Sequence, residues 1–239
     1  NNMRNALQRL KQDIYTKGRA ESMTDAEWGA FTKNCVVALM AGGEGSRFRS
    51  ISDPADLQKN SYLLPNGDTM IERTIRMYRD SGLRNFVALV FHHAESIIDL
   101  LGDGSRLGVD ISYSHDPEHP VGKGGAILHA LHNGSIPRDK SCIVHNPDDQ
   151  IVNYKGNFSR DAVSAHLAGL KEGMIATAVV ADGTPYTFTG MKIEAGVVAQ
   201  TEMYPYVPIP AHVGVTLFSP AAYEYFPRLF DLSQKSDFE

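Results

Sequence analysis

The spacing of apolar residues along this chain changes several times, and each change marks an element. Between residues 3 and 18 they recur at Met3, Leu7, Leu10, Ile14 and Tyr15, one face of an amphipathic helix. A second helix is predicted to open at Thr24, with Glu27 three residues on in the capping-box position. From residue 35 the pattern turns to short apolar runs, at 35–41, 85–91, 109–114, 141–146 and 174–181. Stretches with helical periodicity lie between them, at 69–81, 94–101, 124–133 and 160–171. Unbroken apolar strands alternating with helices predict a parallel sheet covered on both faces. The expected fold class is therefore α/β: a Rossmann-like, mostly parallel sheet flanked by helices. Right-handed crossovers would gather the loops after the strands on one edge, where ligands bind.

Beyond residue 182 the texture differs. β-alternation surrounds a hairpin-like turn at Gly196, residues 204–212 form a Pro-rich connection, a strand follows at "AHVGVTLFS", and Pro220 begins a helix. These readings divide the chain into an N-terminal helical extension, 1–33, and one domain, 34–239. The ending "SDFE" has no finishing element, so a domain truncated at its C-terminus is expected.

Composition narrows the classes of partner. A net charge of −5 excludes the general basic footprint that nucleic-acid binding needs. No apolar stretch is long enough to span a bilayer, and the polar start "NNMRNALQRLKQDIYTKG" is not a secretory leader. A cytoplasmic protein without membrane contact is expected. Cys35 and Cys142 lie in apolar runs with no CxxC, which predicts buried, reduced thiols. His92, His93, His129 and His132 have no third ligand placed by pattern and read as packing or solvated residues. The two leading helices could pack on the domain or on a partner, and a homo-oligomer stays open.

The chemistry concentrates where the first strand ends, at "CVVALMAGGEGSRFRS". Gly42, Gly43 and Gly45 let backbone N–H groups of Ala41–Ser46 approach phosphate oxygens, Ser46 adds a hydroxyl, and Arg47 a planar fork. The loop lacks the G-x-x-x-x-G-K-[ST] of a P-loop. A dinucleotide fingerprint would need glycine at 48, where Phe48 stands. A second glycine loop, Gly122, Lys123, Gly124 and Gly125, precedes a helix whose N-terminal amides suit a nucleotide; a plain helix start is the alternative reading.

"LMAGGEGSRF" resembles the L-A-G-G-x-G-[ST]-R-L loop of the nucleotidylyltransferases that make nucleotide-sugars from sugar 1-phosphates, such as mannose-1-phosphate guanylyl- and glucose-1-phosphate thymidylyl- or uridylyltransferases. Four further stretches are similar to that family in the same order: "LLPNGDTMIERTI", "HPVGKGGAILHAL", "CIVHNPDDQIV" and "PAHVGVTLFSPAAYEYF". The resemblance runs from about residue 35 to the end. It implies transfer of a nucleotidyl group from an NTP to a sugar 1-phosphate with release of pyrophosphate, and Mg²⁺ as cofactor.

Carried over residue by residue, the resemblance makes Arg47 a group on the pyrophosphate leaving group and Lys59 a phosphate contact. It makes Asp148, with Asp149 beside it, the metal-binding position, and Glu202 and Gly214 sugar-side positions. This chain departs from the pattern at several of these. Lys59 stands six residues before Pro65 rather than four, with Ser61 in the expected place. Pro147 replaces the glycine before Asp148, and Met203 follows Glu202 where the family has lysine. The departures leave a second expectation, a regulatory homologue that binds a nucleotide or nucleotide-sugar with little or no turnover.

Overall fold

A computed structural model describes residues 23–45 and 57–238. The expected helix over 3–18, together with Ser46 and Arg47, lies outside the described residues. Among the described residues no helix is long and apolar enough to cross a membrane.

The elements in chain order are α1 (Asp25–Lys33), β1 (Cys35–Ala41), a 3₁₀ turn (Lys59–Ser61), α2 (Met70–Asp80), β2 (Asn85–Val90), α3 (Ala94–Leu101) and β3 (Asp110–His115). They continue with α4 (Gly122–His132), β4 (Ser141–His145), α5 (Phe158–Lys171), β5 (Ala176–Ala181), β6 (Thr184–Pro185), β7 (Gly190–Glu194), β8 (Val197–Glu202), β9 (Tyr206–Val207) and β10 (Ala211–Phe218). A 3₁₀ turn (Pro220–Glu224) and the short α6 (Phe226–Leu229) follow. The main sheet has six strands in the order β3-β2-β1-β4-β10-β5. β1 lies parallel to both β2 and β4, β2 parallel to β3, and β10 antiparallel to β4. The fold is thus mixed α/β with a mostly parallel central sheet.

Local chemistry explains the boundaries. Both α1 and α2 begin with a complete capping box, Thr24 with Glu27 and Thr69 with Glu72. In α2 the box is buried, and Arg106 meets Glu72 Oε1 at 2.5 Å. Burial pushes that carboxyl up, but the Arg106 and Thr69 hydrogen bonds together hold it below the usual carboxylate range. β1 and β2 are buried along nearly their whole lengths, as apolar runs in the middle of a two-faced sheet should be. Cys35 and Cys142 are buried free thiols in neighbouring strands, and burial pushes the Cys142 thiol up to about 12.

Two expectations change in detail. The run at 174–181 reads as a buried strand, yet β5 is at the sheet edge and alternates between half-buried and exposed residues. The helix expected from Pro220 is broken into the 3₁₀ turn and α6. Pro227 has no N–H to donate, and its ring would crowd the carbonyl four residues back in a continuous helix.

The described residues fall into two compact units, residues 178–213 and the remainder. The first holds the β7–β8 hairpin. Its turn residues, Ala195 at φ 49° and Gly196 at φ 81°, give the left-handed pair that a tight two-residue hairpin loop requires. The second unit holds a core in which α4 packs on Val36, Ala38, Val87, Leu89 and Val144, with Phe218, Tyr223 and Phe226 alongside.

Candidate functional site

The register of β1 against β4 pairs Leu39 with His145, so the chain leaves both strands at the same edge. The glycine loop at 42–45 and the turn at 146–150 are consequently neighbours. Gly45 adopts φ +69°, a left-handed conformation that favours glycine.

The 3₁₀ turn at 59–61 is fastened against this loop. Gln58 Nε2 donates to the Gly43 carbonyl at 3.4 Å, and Asn60 Nδ2 to the Met40 carbonyl at 3.2 Å. Both side chains are fully buried, so these bonds satisfy amide N–H donors that water does not reach. The turn then aims Lys59 across the edge, where its Nζ meets Asp148 Oδ2 at 2.5 Å. Ser61, which the family spacing would make the phosphate contact, instead donates its hydroxyl to the Gln58 carbonyl at 2.7 Å. The structure therefore brings Lys59 and Asp148 together at the end of β4, beside the glycine loop.

The acidic turn is held by three outside contacts and by two bonds within itself. The Asn146 N–H donates to the Gly214 carbonyl at 2.9 Å, and Asn146 Nδ2 donates to Asp149 Oδ2 at 3.1 Å. Gln150 Nε2 donates to the carbonyls of Met70 on α2 and Pro147 within the turn. Beneath it, His145 Nε2 lies 2.9 Å from the Asp149 carbonyl, and His145 Nδ1 lies 2.9 Å from the Tyr78 hydroxyl. Gly214, at φ +67°, lies so close that a Cβ there would overlap Asp149 Oδ2. Asp149 thus has its Oδ2 committed within the turn, whereas Asp148 faces Lys59.

The second glycine loop is occupied by the chain itself. The Lys123 N–H donates to Asp237 Oδ1 at 2.7 Å, and the N–H groups of Gly124 and Gly125 donate to the Ser236 carbonyl at 2.9 and 3.3 Å. Gly124 has no room for a Cβ because the Phe230 ring lies against it, and a Cβ on Gly122 would meet Ser236 O at 2.5 Å. The amides expected to face a nucleotide are, in this structure, donors to residues 236–237. Asp116, at the end of β3, accepts from the Val121 N–H at 3.3 Å, and burial pushes its carboxyl up to about 6.

Glu202 ends β8 opposite Gly190 and is exposed, within the unit of residues 178–213. Among the described residues no group of three or more His, Cys, Asp or Glu side chains is arranged to hold a metal ion. A hard divalent cation is compatible with Asp148 and Asp149 in a different way. Magnesium is held by one or two carboxylates together with substrate phosphates, and two adjacent carboxylates on a turn fixed by backbone bonds supply that donor set.

No motif in the sequence marks His145, Tyr78, Gln58, Asn60 or Gln150 for this site. One signal was available: a histidine closing the otherwise apolar run "SCIVH" is an anomaly in a buried strand.

Comparison with known proteins shows the family and the fold. Residues 36–226 match the family model described as Nucleotidyl transferase. A bifunctional IPC transferase and DIPP synthase of Rubrobacter xylanophilus is 29% identical over 95 residues, which cover 40% of this chain and 20% of that protein. The chain thus spans about a fifth of that relative's length. Among solved structures, a Bacillus anthracis protein assigned as a glucose-1-phosphate thymidylyltransferase aligns at TM-score 0.55 and 19% identity, over 83% of this chain and 77% of that one. HddC from Yersinia pseudotuberculosis, complexed with GMP-PN, aligns at 0.55 and 20% over 85% and 83%. A UDP-glucose pyrophosphorylase complexed with UDP-glucose aligns at 0.57 and 14%, over 84% and 83%. At these identities the structural likeness speaks for the fold.

Proposed function

We propose that this chain, which belongs to the nucleotidyl transferase family, transfers a nucleotidyl group from an NTP to a sugar 1-phosphate. The observation that carries the proposal is the Lys59–Asp148 contact at 2.5 Å, set at the sheet edge beside the glycine loop. A cation and a carboxylate held there supply what in-line phosphoryl chemistry needs, which is positioning and charge neutralisation more than a covalent nucleophile.

In the proposed reaction an oxygen of the sugar 1-phosphate attacks the α-phosphorus, the bond from that phosphorus to the bridging oxygen breaks, and pyrophosphate leaves with the electron pair. Backbone N–H groups of the 42–45 loop hold phosphate oxygens. Lys59 turns from Asp148 toward the negative charge on the triphosphate, and Arg47 stabilises the departing pyrophosphate. Asp148 and Asp149 are the residues that would hold Mg²⁺, which when bound supplies positive charge against the phosphates. Glu202 and Gly214 are proposed on the sugar side. The uridine, thymidine and guanosine chemistry of the structural neighbours leaves the base open.

One observation favours a second reading, nucleotide or nucleotide-sugar binding without turnover. The Lys123, Gly124 and Gly125 amides are already engaged by residues 236–237, so this loop brings fewer donors to a substrate. A screen of four NTPs and several hexose 1-phosphates for pyrophosphate release, run beside a thermal-shift series with Mg²⁺, separates the readings. Release with at least one pair supports transfer. A rise in Tm without release selects binding alone, and neither result overturns both.

A further inference from the structure

Below the acidic turn lies a buried polar pair that the proposed chemistry does not touch. His145 and Tyr78 are each about 1% exposed, and their rings meet edge to face at 5.6 Å. A carbonyl can only accept, so the 2.9 Å contact from His145 Nε2 to the Asp149 carbonyl fixes the proton on Nε2. In the neutral ring Nδ1 is then an acceptor, and the Tyr78 hydroxyl at 2.9 Å donates to it. Both side chains are buried, so each of these bonds satisfies a polar group that water does not reach. The result is a chain of directed hydrogen bonds, from Tyr78 on α2 through His145 at the end of β4 to the backbone of Asp149.

The pair is unusual for its place. Every other residue from Cys142 to Val144 in β4 is apolar and buried, and a Leu at 145 would fill such a strand end without needing partners. A buried polar pair costs desolvation unless every bond is made, so its use here points to directional control. The backbone group it grips is the carbonyl of Asp149, in the acidic turn. Gln150, itself in the turn, ties the turn to α2 through Met70 O and closes it through Pro147 O. Both anchors run to α2, so that helix acts as the reference against which the two carboxylates are placed.

We infer that His145, oriented by Tyr78, is a positioning residue that presets the Asp148–Asp149 carboxylates for a divalent cation and the phosphates it accompanies. This rests on the transfer reading for the identity of the substrate, and on the hydrogen-bond chain for the geometry.

The test compares His145→Met, His145→Gln and Tyr78→Phe in the full chain. Three quantities are read: the Mg²⁺ concentration for half-maximal pyrophosphate release, Mn²⁺ binding to the NTP-loaded protein by electron paramagnetic resonance, and Tm. His145→Met removes the donor to Asp149 and should raise both metal constants at least fivefold, with the KM for NTP changed less than twofold. His145→Gln retains an amide N–H at a similar reach and should return both metal constants to within twofold of the parent. Tyr78→Phe leaves the ring unoriented and should shift them by twofold or more. A folded His145→Met with unchanged metal constants overturns the inference, as does a Gln variant no better than Met. Should His145→Met fail to fold, the Tyr78→Phe variant decides, and no shift there overturns the inference. If the parent protein releases no pyrophosphate, the transfer reading fails and the Mn²⁺ measurement alone decides the positioning role; a parent that binds no Mn²⁺ with nucleotide overturns it.

Discussion

Gly214 leaves no space between its own backbone and the Asp149 carboxylate: a Cβ there would overlap Oδ2 and stand 2.7 Å from Asn146 Nδ2. Its φ of +67° adds a conformation that alanine adopts at a cost. Gly214→Ala should therefore destabilise the protein by about 2 kcal/mol or more, combining backbone strain with a forced shift of the acidic turn. Chemical denaturation measures the loss. Pyrophosphate release should fall at least tenfold at a temperature where the variant is still folded.

The Lys59–Asp148 pair should behave in the opposite way. Both side chains are partly exposed, so the ion pair contributes at most about 1 kcal/mol to stability. If the two groups meet the developing phosphate charge, Lys59→Met and Asp148→Asn should each lower kcat by about 100-fold or more. Equal Tm values beside such rate losses assign the pair to chemistry; a large Tm loss with a proportionate rate loss assigns it to the fold.

Asp116 gives a prediction of sign. Burial pushes its folded-state value up to about 6, above the unfolded value of about 3.9. Its contribution is fully present below pH 4 and is lost as pH rises through 6, so at neutral pH the ionised carboxylate is a burden. Asp116→Asn keeps an oxygen to accept from the Val121 N–H and should raise Tm at pH 7.5. The gain should vanish near pH 4.

His166 acts in the same pH range with the other proton balance. Burial lowers its folded value to about 4, against about 6.5 unfolded, and its Nδ1 is paired with Thr177 Oγ1. The unfolded chain takes up the proton first, so this residue costs stability progressively as pH falls from 6.5 to 4. His166→Phe should flatten the decline of Tm over that window. A thermal melt series from pH 4 to 8 reads both this variant and Asp116→Asn.

The parts legible in the sequence were those set by local pattern. Apolar runs located β1, β2 and β4, the Thr-x-x-Glu spacing located the starts of α1 and α2, and Gly42–Gly45 marked the loop at the sheet edge. What escaped depends on contacts far apart in the chain. Tyr78 and His145 meet across 67 residues, and Gln150 reaches Met70 across 80. No periodicity encodes such a meeting. The occupation of the Lys123–Gly125 amides by Ser236 and Asp237 was hidden for the same reason, since a glycine loop before a helix reads identically whether a ligand or the chain itself fills it. Lys59 lay between the two cases. Its spacing disagreed with the family pattern, and only the bonds of Gln58 and Asn60 to β1 and its loop show how the turn delivers it to Asp148.

The most direct test of the central claim is a ³¹P NMR time course of the protein with Mg²⁺, an NTP and a hexose 1-phosphate, repeated over the four bases. The account predicts, for at least one pair, loss of the sugar-phosphate resonance with matched growth of pyrophosphate and of a coupled diphosphate-ester pair, all slowed about 100-fold or more in Lys59→Met. Spectra unchanged for every pair, or hydrolysis to nucleoside diphosphate and inorganic phosphate with the sugar phosphate intact, would contradict it.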